Sequence, residues 1–253
     1  MADLRNYQGR VQTGELIDQG LRSYMLKVYN LMGIGLVITG IAAYLTTALT
    51  TTTDQSLAAG RMGNTLLTSA GVAIYDSPLR WVVMLAPLGL VFFLSYRINK
   101  MSVSAAQTTF AVYAALMGLS LSSILLVYTG QSVAQTFFVT AASFGALSLY
   151  GYTTKRDLSA MGSFLMMGLF GLIIASIVNI FLASSAMQFA ISAIGVLIFA
   201  GLTAYDTQRI KEMYLENDDA TTAGRKAIMG ALTLYLDFIN LFMFLLQFMG
   251  NRK

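Results

Sequence analysis

The sequence predicts an all-α membrane protein, a bundle of seven transmembrane helices, and three observations carry that prediction. The chain is 56% hydrophobic and only 11% charged, with a mean hydropathy of +0.66. No charged residue occurs from Met101 to Thr154 or from Leu158 to Tyr205, and each run is long enough for two spans. Finally, the run Ala227 to Asn251 is uncharged except for Asp237. These runs are continuously apolar, whereas a membrane barrel requires short alternating strands.

The first 27 residues are polar and of mixed charge, and they lack the short apolar core and small-residue cleavage site of a secretory signal. They are expected to form a cytoplasmic segment (1–27) ahead of a retained first span, Val28 to Leu49, which opens the membrane domain (28–253). Thr50 to Arg80 is rich in Thr, Gly and Ser and reads as a mobile outer loop (about 50–80), with Tyr75 and Trp81 suited to the membrane interface. Trp81 to Tyr96 is the second span. The polar stretch Tyr128-Thr129-Gly130-Gln131-Ser132 divides the next run into spans three and four, and Ala183-Ser184-Ser185-Ala186-Met187-Gln188 divides the following one into spans five and six. The run containing Asp237 is the seventh.

With the N-terminus inside, the inner segments hold Arg5, Arg10, Arg22, Lys27, Arg97, Lys100, Lys155, Arg156, Arg209, Lys211, Arg225 and Lys226, and the outer ones hold Arg61, Arg80, Arg252 and Lys253. Twelve against four predicts a cytoplasmic N-terminus and an external C-terminus under the positive-inside rule. The net charge of +4 follows from this asymmetry and requires no nucleic-acid partner. The chain contains no cysteine and no histidine, which excludes disulfides, imidazole metal ligands and Ser-His catalysis. Proton chemistry therefore falls to carboxylates, and no catalytic residue or cofactor is expected.

At about 1.5 Å per residue, Asp237 lies roughly 15 Å into its span, near the bilayer midplane. A carboxyl there is costly and marks a functional site that requires a partner, for which Asp206, at the inner end of the sixth span, is the first candidate. Gly230, Thr233, Asp237, Asn240, Phe244 and Gln247 share one helical face. Small and polar residues commonly join helices, which accounts for Gly230, Thr233 and Gln247, and packing equally explains Asn179 in the fifth span. Arg97, at the inner end of the second span, reads as an ordinary positive-inside residue on sequence alone.

Leu234-Tyr235-Leu236-Asp237-Phe238-Ile239-Asn240-Leu241-Phe242 closely resembles the C-terminal signature of the Bax inhibitor-1, or transmembrane Bax inhibitor motif, family. Tyr205-Asp206, Asn179-Ile180-Phe181 and Lys155-Arg156-Asp157-Leu158-Ser159 resemble further family segments in the right order. The likeness extends over about residues 25 to 250. It implies a central C-terminal helix wrapped by the other six and, in a bacterial-type member, the inner membrane. It also implies a pH-sensitive calcium leak gated by an aspartate pair matching Asp206 and Asp237, with a latch matching Arg97. Two buried carboxyls within reach of each other do not easily ionise together, so the pair titrates as a unit. Asn240, Thr233 and Asn179 are candidate polar supports. Calcium prefers six or more oxygens, so Asp206 and Asp237 suit transient passage with water completing the shell.

Two other classes follow from the same residues. Some bacterial relatives are thought to modulate a membrane protease or another quality-control partner, and the N-terminal segment would be the contact. Paired aspartates also build intramembrane aspartyl proteases, but the glycine those enzymes place two residues before the second aspartate is Tyr235 here.

Overall fold

The computed structural model describes residues 2–253, with side chains described from Gln19 onward. Helix α1 (Ala2–Thr50) leads into a short element between the first two spans, made of β1 (Thr51–Thr52), β2 (Gly60–Met62), β3 (Thr65–Leu67) and α2 (Ser69–Tyr75). Then follow α3 (Leu79–Arg97), α4 (Val103–Val127), α5 (Gly130–Thr153), α6 (Ser159–Leu182), α7 (Ser185–Glu212) and α8 (Ala220–Met249). All except α2 are long and apolar enough to cross a bilayer, giving seven spans among the described residues and an all-α, multi-pass membrane bundle.

Local chemistry sets the breaks. Ser102, Thr129 and Ser184 each accept a backbone N–H from the first turn of α4, α5 and α7 respectively, satisfying donors that the helix leaves free. Ala183, between α6 and α7, adopts a left-handed conformation at φ 47°, and the Asn179 carbonyl accepts its N–H, which closes α6. Both divisions expected inside the long uncharged runs therefore occur, at Tyr128-Thr129 and Ala183-Ser184.

Helix α8 packs against α1, α4, α5 and α7, while α3 lies on α4 and α6 lies on α7. Tyr235 is fully buried, and its ring meets Phe110 and Tyr113 of α4 edge-on at 5.8 and 5.6 Å. Its hydroxyl lies 2.7 Å from Thr39 Oγ1 of α1. One turn on, Phe238 meets Phe137 and Phe144 of α5, each at 5.5 Å. Helices come closest at two glycines: a Cβ on Gly118 would collide with the Thr39 carbonyl of α1, and one on Gly151 with the Ala204 carbonyl of α7.

Two expectations change. The first apolar run begins at Val28, but α1 passes through that position unbroken, and Tyr24 and Met25 are already part of the core, with Tyr24 against Tyr214 at 5.6 Å. The boundary at 27 is thus a change of composition and not of structure. The loop from 50 to 80 is also ordered. Its strands form an antiparallel sheet in the order β1-β3-β2, and Leu67 and Tyr75 close a small core on Leu126 of α4. Tyr75 is buried, with its hydroxyl 2.7 Å from Ser122 Oγ and 3.2 Å from Thr50 Oγ1, so it serves as a peg into the bundle instead of an interface anchor. Trp81, by contrast, is exposed beside Arg80.

Candidate functional site

Asp206 and Asp237 come from the two helices α7 and α8, which pack along each other. Three polar residues near Asp206 on α7, Thr203, Thr207 and Gln208, are held by hydrogen bonds. Thr203 and Thr207 are buried and donate to backbone carbonyls one turn back. Gln208 accepts from Leu158 N at 2.9 Å and donates to Arg156 O at 2.8 Å, tying the turn before α6 to α7. On the opposite side of α7, Thr207 Oγ1 lies 2.9 Å from Ser148 Oγ, which is 2.6 Å from Tyr29 Oη, so one chain of hydroxyls joins α1, α5 and α7.

Asp237 is 5% exposed, while Asp206 is half-buried. The two carboxyls are near enough for each to influence the protonation of the other. Two carboxylates have no hydrogen between them to share, so a bond between this pair exists only when one carries a proton. Asp237 Oδ2 has no hydrogen-bond partner among the described residues. A buried acceptor in that condition is costly and calls for explanation as a functional atom.

The pair lies at the wall of a cavity of about 540 Å³ bounded by α6, α7 and α8. Of the other sequence candidates, Thr233 and Asn240 line this cavity with it. Each donates to its own helix, Thr233 Oγ1 to Met229 O at 3.0 Å and Asn240 Nδ2 to Leu236 O at 2.8 Å, which leaves their oxygens as acceptors. Ser176 on α6 completes the polar set. Sequence reasoning missed Ser176, because a lone serine in an apolar helix gives no signal until the opposing helix is known.

The structure does not bring Asn179 or Arg97 to the pair. Asn179 Oδ1 accepts the N–H of Ser184 at 3.1 Å and so closes the turn between α6 and α7. Arg97 is exposed at the end of α3, a helix that packs on α4, and makes no ion pair among the described residues. The cation whose charge reaches Asp206 is Arg209, one turn further along α7. Its spacing of three from Asp206 was the available signal. The ion pair found among the described residues is Lys226 to Asp218 at 2.6 Å, away from the site.

Among the described residues no three acidic, histidine or cysteine side chains converge as a metal-binding group. Outside the membrane, the hydroxyl and N–H of Thr222 and the N–H of Thr221 hold the Asp219 carboxyl below the usual aspartate range, and Ser56 and Ser159 do the same for Asp54 and Asp157. The N-terminal residues through Asp18, proposed above as a partner contact, lie outside the described side chains.

Comparison with known proteins agrees with the resemblance carried by the α8 motif. The family described as "Inhibitor of apoptosis-promoting Bax1" matches residues 21–253. An uncharacterized protein of Rickettsia prowazekii is 47% identical over 236 residues, covering 93% of this chain and 92% of that protein. One from Caulobacter vibrioides is 48% identical over 240 residues, covering 94% and 92%. The Escherichia coli protein named "Inner membrane protein YbhL" is 44% identical over 236 residues, covering 92% and 94%. A match over nearly the whole membrane domain, together with full-length relatives well above 30% identity, makes this chain a member of the Bax inhibitor-1 family.

Proposed function

We propose that this protein is a passive, pH-responsive cation pathway in a bacterial inner membrane, with the Asp206–Asp237 pair as its sensor and calcium as a permeant ion. One observation carries the reading: two carboxyls on adjacent helices lie near each other beside a cavity, and one is buried with an unpartnered oxygen. In a chain without histidine, such a pair is the available device for a charge change in the membrane interior. Gaining or losing the shared proton changes the charge facing α6 and Arg209, and with it the balance of contacts between α6, α7 and α8. The ionised pair, the Asn240 amide and water together offer a cation oxygen ligands in passing, too few for tight calcium binding.

In this reading α8 is the axis and the other six spans form its wall. The burial of α8 supports that arrangement, as does the packing of α1, α4, α5 and α7 on it. The basic ends of the helices face the cytoplasm, and the sheet and the C-terminus face outward, as the distribution of Lys and Arg suggests. The name of the Escherichia coli relative supports the inner-membrane assignment. Arg97 would act as a latch only through movement of α3 toward α7, and the charge of Arg209 on Asp206 supports Arg209 as an alternative.

Cation flux from purified protein in liposomes across pH, with calcium compared against sodium and potassium, tests the proposal. Asn has nearly the size of Asp but cannot ionise. Asp206→Asn and Asp237→Asn should each lose most of the pH dependence, and the double variant should add little, because the response belongs to the pair. A single variant that folds, inserts and keeps the wild-type pH profile would falsify the dyad as sensor. Arg97→Ala and Arg209→Ala measured side by side decide which cation takes part.

A further inference from the structure

We propose that the cavity between α6, α7 and α8 is a binding site for a lipophilic organic amine, entered sideways from the bilayer and anchored by its nitrogen on Asp237. The walls set the first half of the ligand's chemistry. Apart from the acids and the small polar groups beside them, the cavity is lined by aliphatic and aromatic side chains, among them Leu172, Ile173, Ile177, Leu202 and Phe244. Its volume of about 540 Å³ falls within the roughly 300–1,000 Å³ typical of sites for small organic molecules.

The polar part of the wall sets the second half. Asp237 Oδ2 is buried, unpartnered and on the cavity wall, while Asp206 has Arg209 within electrostatic reach. Thr233 has spent its hydrogen on its own helix and Asn240 one of its two, so the Thr233 hydroxyl oxygen and the Asn240 carbonyl oxygen are left as acceptors at the cavity. The buried Asp237 oxygen, with these two acceptors beside it, therefore calls for a donor. An ammonium supplies up to three N–H donors and the compensating charge. A hydrocarbon chain would leave Oδ2 unpaired, and a small hydrated cation would leave the apolar wall without a partner. An amine with a compact apolar body satisfies both ends.

The route follows from α6. Ile173 and Ile177 line the cavity yet are 47% and 51% exposed, so the groove opens through α6 toward the lipid. A neutral amine dissolved in the bilayer reaches it without crossing water. On arrival the amine nitrogen takes a proton from the carboxyl pair or from solvent, giving an ammonium beside a carboxylate. The proposal concerns binding alone and holds whether or not ions pass.

The test uses full-length protein in nanodiscs of neutral phospholipid with tritiated 1-aminoadamantane as probe and 1-adamantanol, equal in shape but uncharged, as competitor. Scintillation proximity should show saturable binding above empty nanodiscs, with the alcohol competing at least ten-fold more weakly than unlabelled amine. Asp237→Asn should weaken amine binding at least ten-fold. Ile173→Trp fills the mouth from the lipid side of α6 without touching a carboxyl, and it should do the same even if Asp237→Asn does not fold. Absence of saturable binding, equal competition by the alcohol, or wild-type affinity in either folded variant overturns the proposal. Flux measured on the same variants separates its failure from that of the cation pathway.

Discussion

Helices α6 and α8 are similar in length and both are strongly apolar, yet their places in the bundle are opposite. The most apolar stretch of α6 has a mean hydropathy of 2.4 and is 6% buried, while that of α8 has 1.8 and is 61% buried. In water the more apolar helix would go inside. In a bilayer, lipid solvates Leu and Ile as well as protein does, so hydropathy does not decide which helix is buried. What selects α8 is what lipid solvates badly: Asp237, Asn240, Thr233 and the Tyr235 hydroxyl. It also carries small residues, Ala227, Gly230 and Ala231, where other helices come close. Polar and small residues mark the interior, and the surface of α6 is free to be uniformly greasy.

The largest expected effect comes from cutting the aromatic packing of α8. Tyr235→Ala removes a ring held by Phe110 and Tyr113 and leaves the Thr39 hydroxyl without its tyrosine neighbour, and comparable aromatic truncations cost about 3–5 kcal/mol. Phe181→Ala on α6, at a side chain 83% exposed, should change stability by about 0.5 kcal/mol or less. Thermal unfolding in a mild detergent measures both, and equal losses would break the contrast between the two helices. Overpacking should follow the same order. Ala231→Leu on α8 has no room and should cost about 1–3 kcal/mol, whereas Gly171→Leu on α6 meets open space.

How much of this was legible depended on which solvent a residue meets. The seven spans and both breaks in the uncharged runs were readable, because bilayer thickness and helix capping leave few alternatives. Asp237 was readable because a lone acid in an apolar helix is costly wherever it sits, and its position on a shared face with Thr233 and Asn240 follows from helical period. The turn-closing contact of Asn179 was not readable, because its side chain accepts the N–H of Ser184 and in sequence a capping amide looks the same as a buried one. Arg97 and Arg209 are both basic residues at helix ends, and only the packing of α7 on α8 and of α3 on α4 separates them. The element between the first two spans was read as a loop because its strands span two or three residues each, too short for alternation to register.

The element between the first two spans offers a sharper comparison, since it holds to the bundle through a few polar contacts instead of a long apolar face. Tyr75→Phe deletes the hydroxyl shared with Ser122 and Thr50 and keeps the ring against Leu67 and Leu126, so it should cost about 1 kcal/mol. Hydrogen exchange should show the loss confined to residues 51–76. Faster exchange along α8 would mean that the cap and the bundle unfold as one unit, which the small separate core argues against.

The smallest expected effect lies at the exposed start of α8. Asp219 accepts the N–H groups of Thr221 and Thr222 at 2.8 and 3.1 Å and the Thr222 hydroxyl at 2.6 Å, and these bonds favour its ionised form, which is why its carboxyl sits below the usual aspartate range. A depressed acid contributes stability that is present in full above the ordinary aspartate pKa and is lost as pH falls through the lower, folded value. Asp219→Ala should therefore lower the melting temperature slightly at neutral pH, and the gap from wild type should close in acid. The sign separates this cap from the interior pair: the Asp219 contribution disappears on acidification, and its removal should leave the pH profile of cation flux unchanged. If Asp219→Ala shifts that profile as strongly as Asp237→Asn does, the response to pH does not belong to the carboxyls in the membrane.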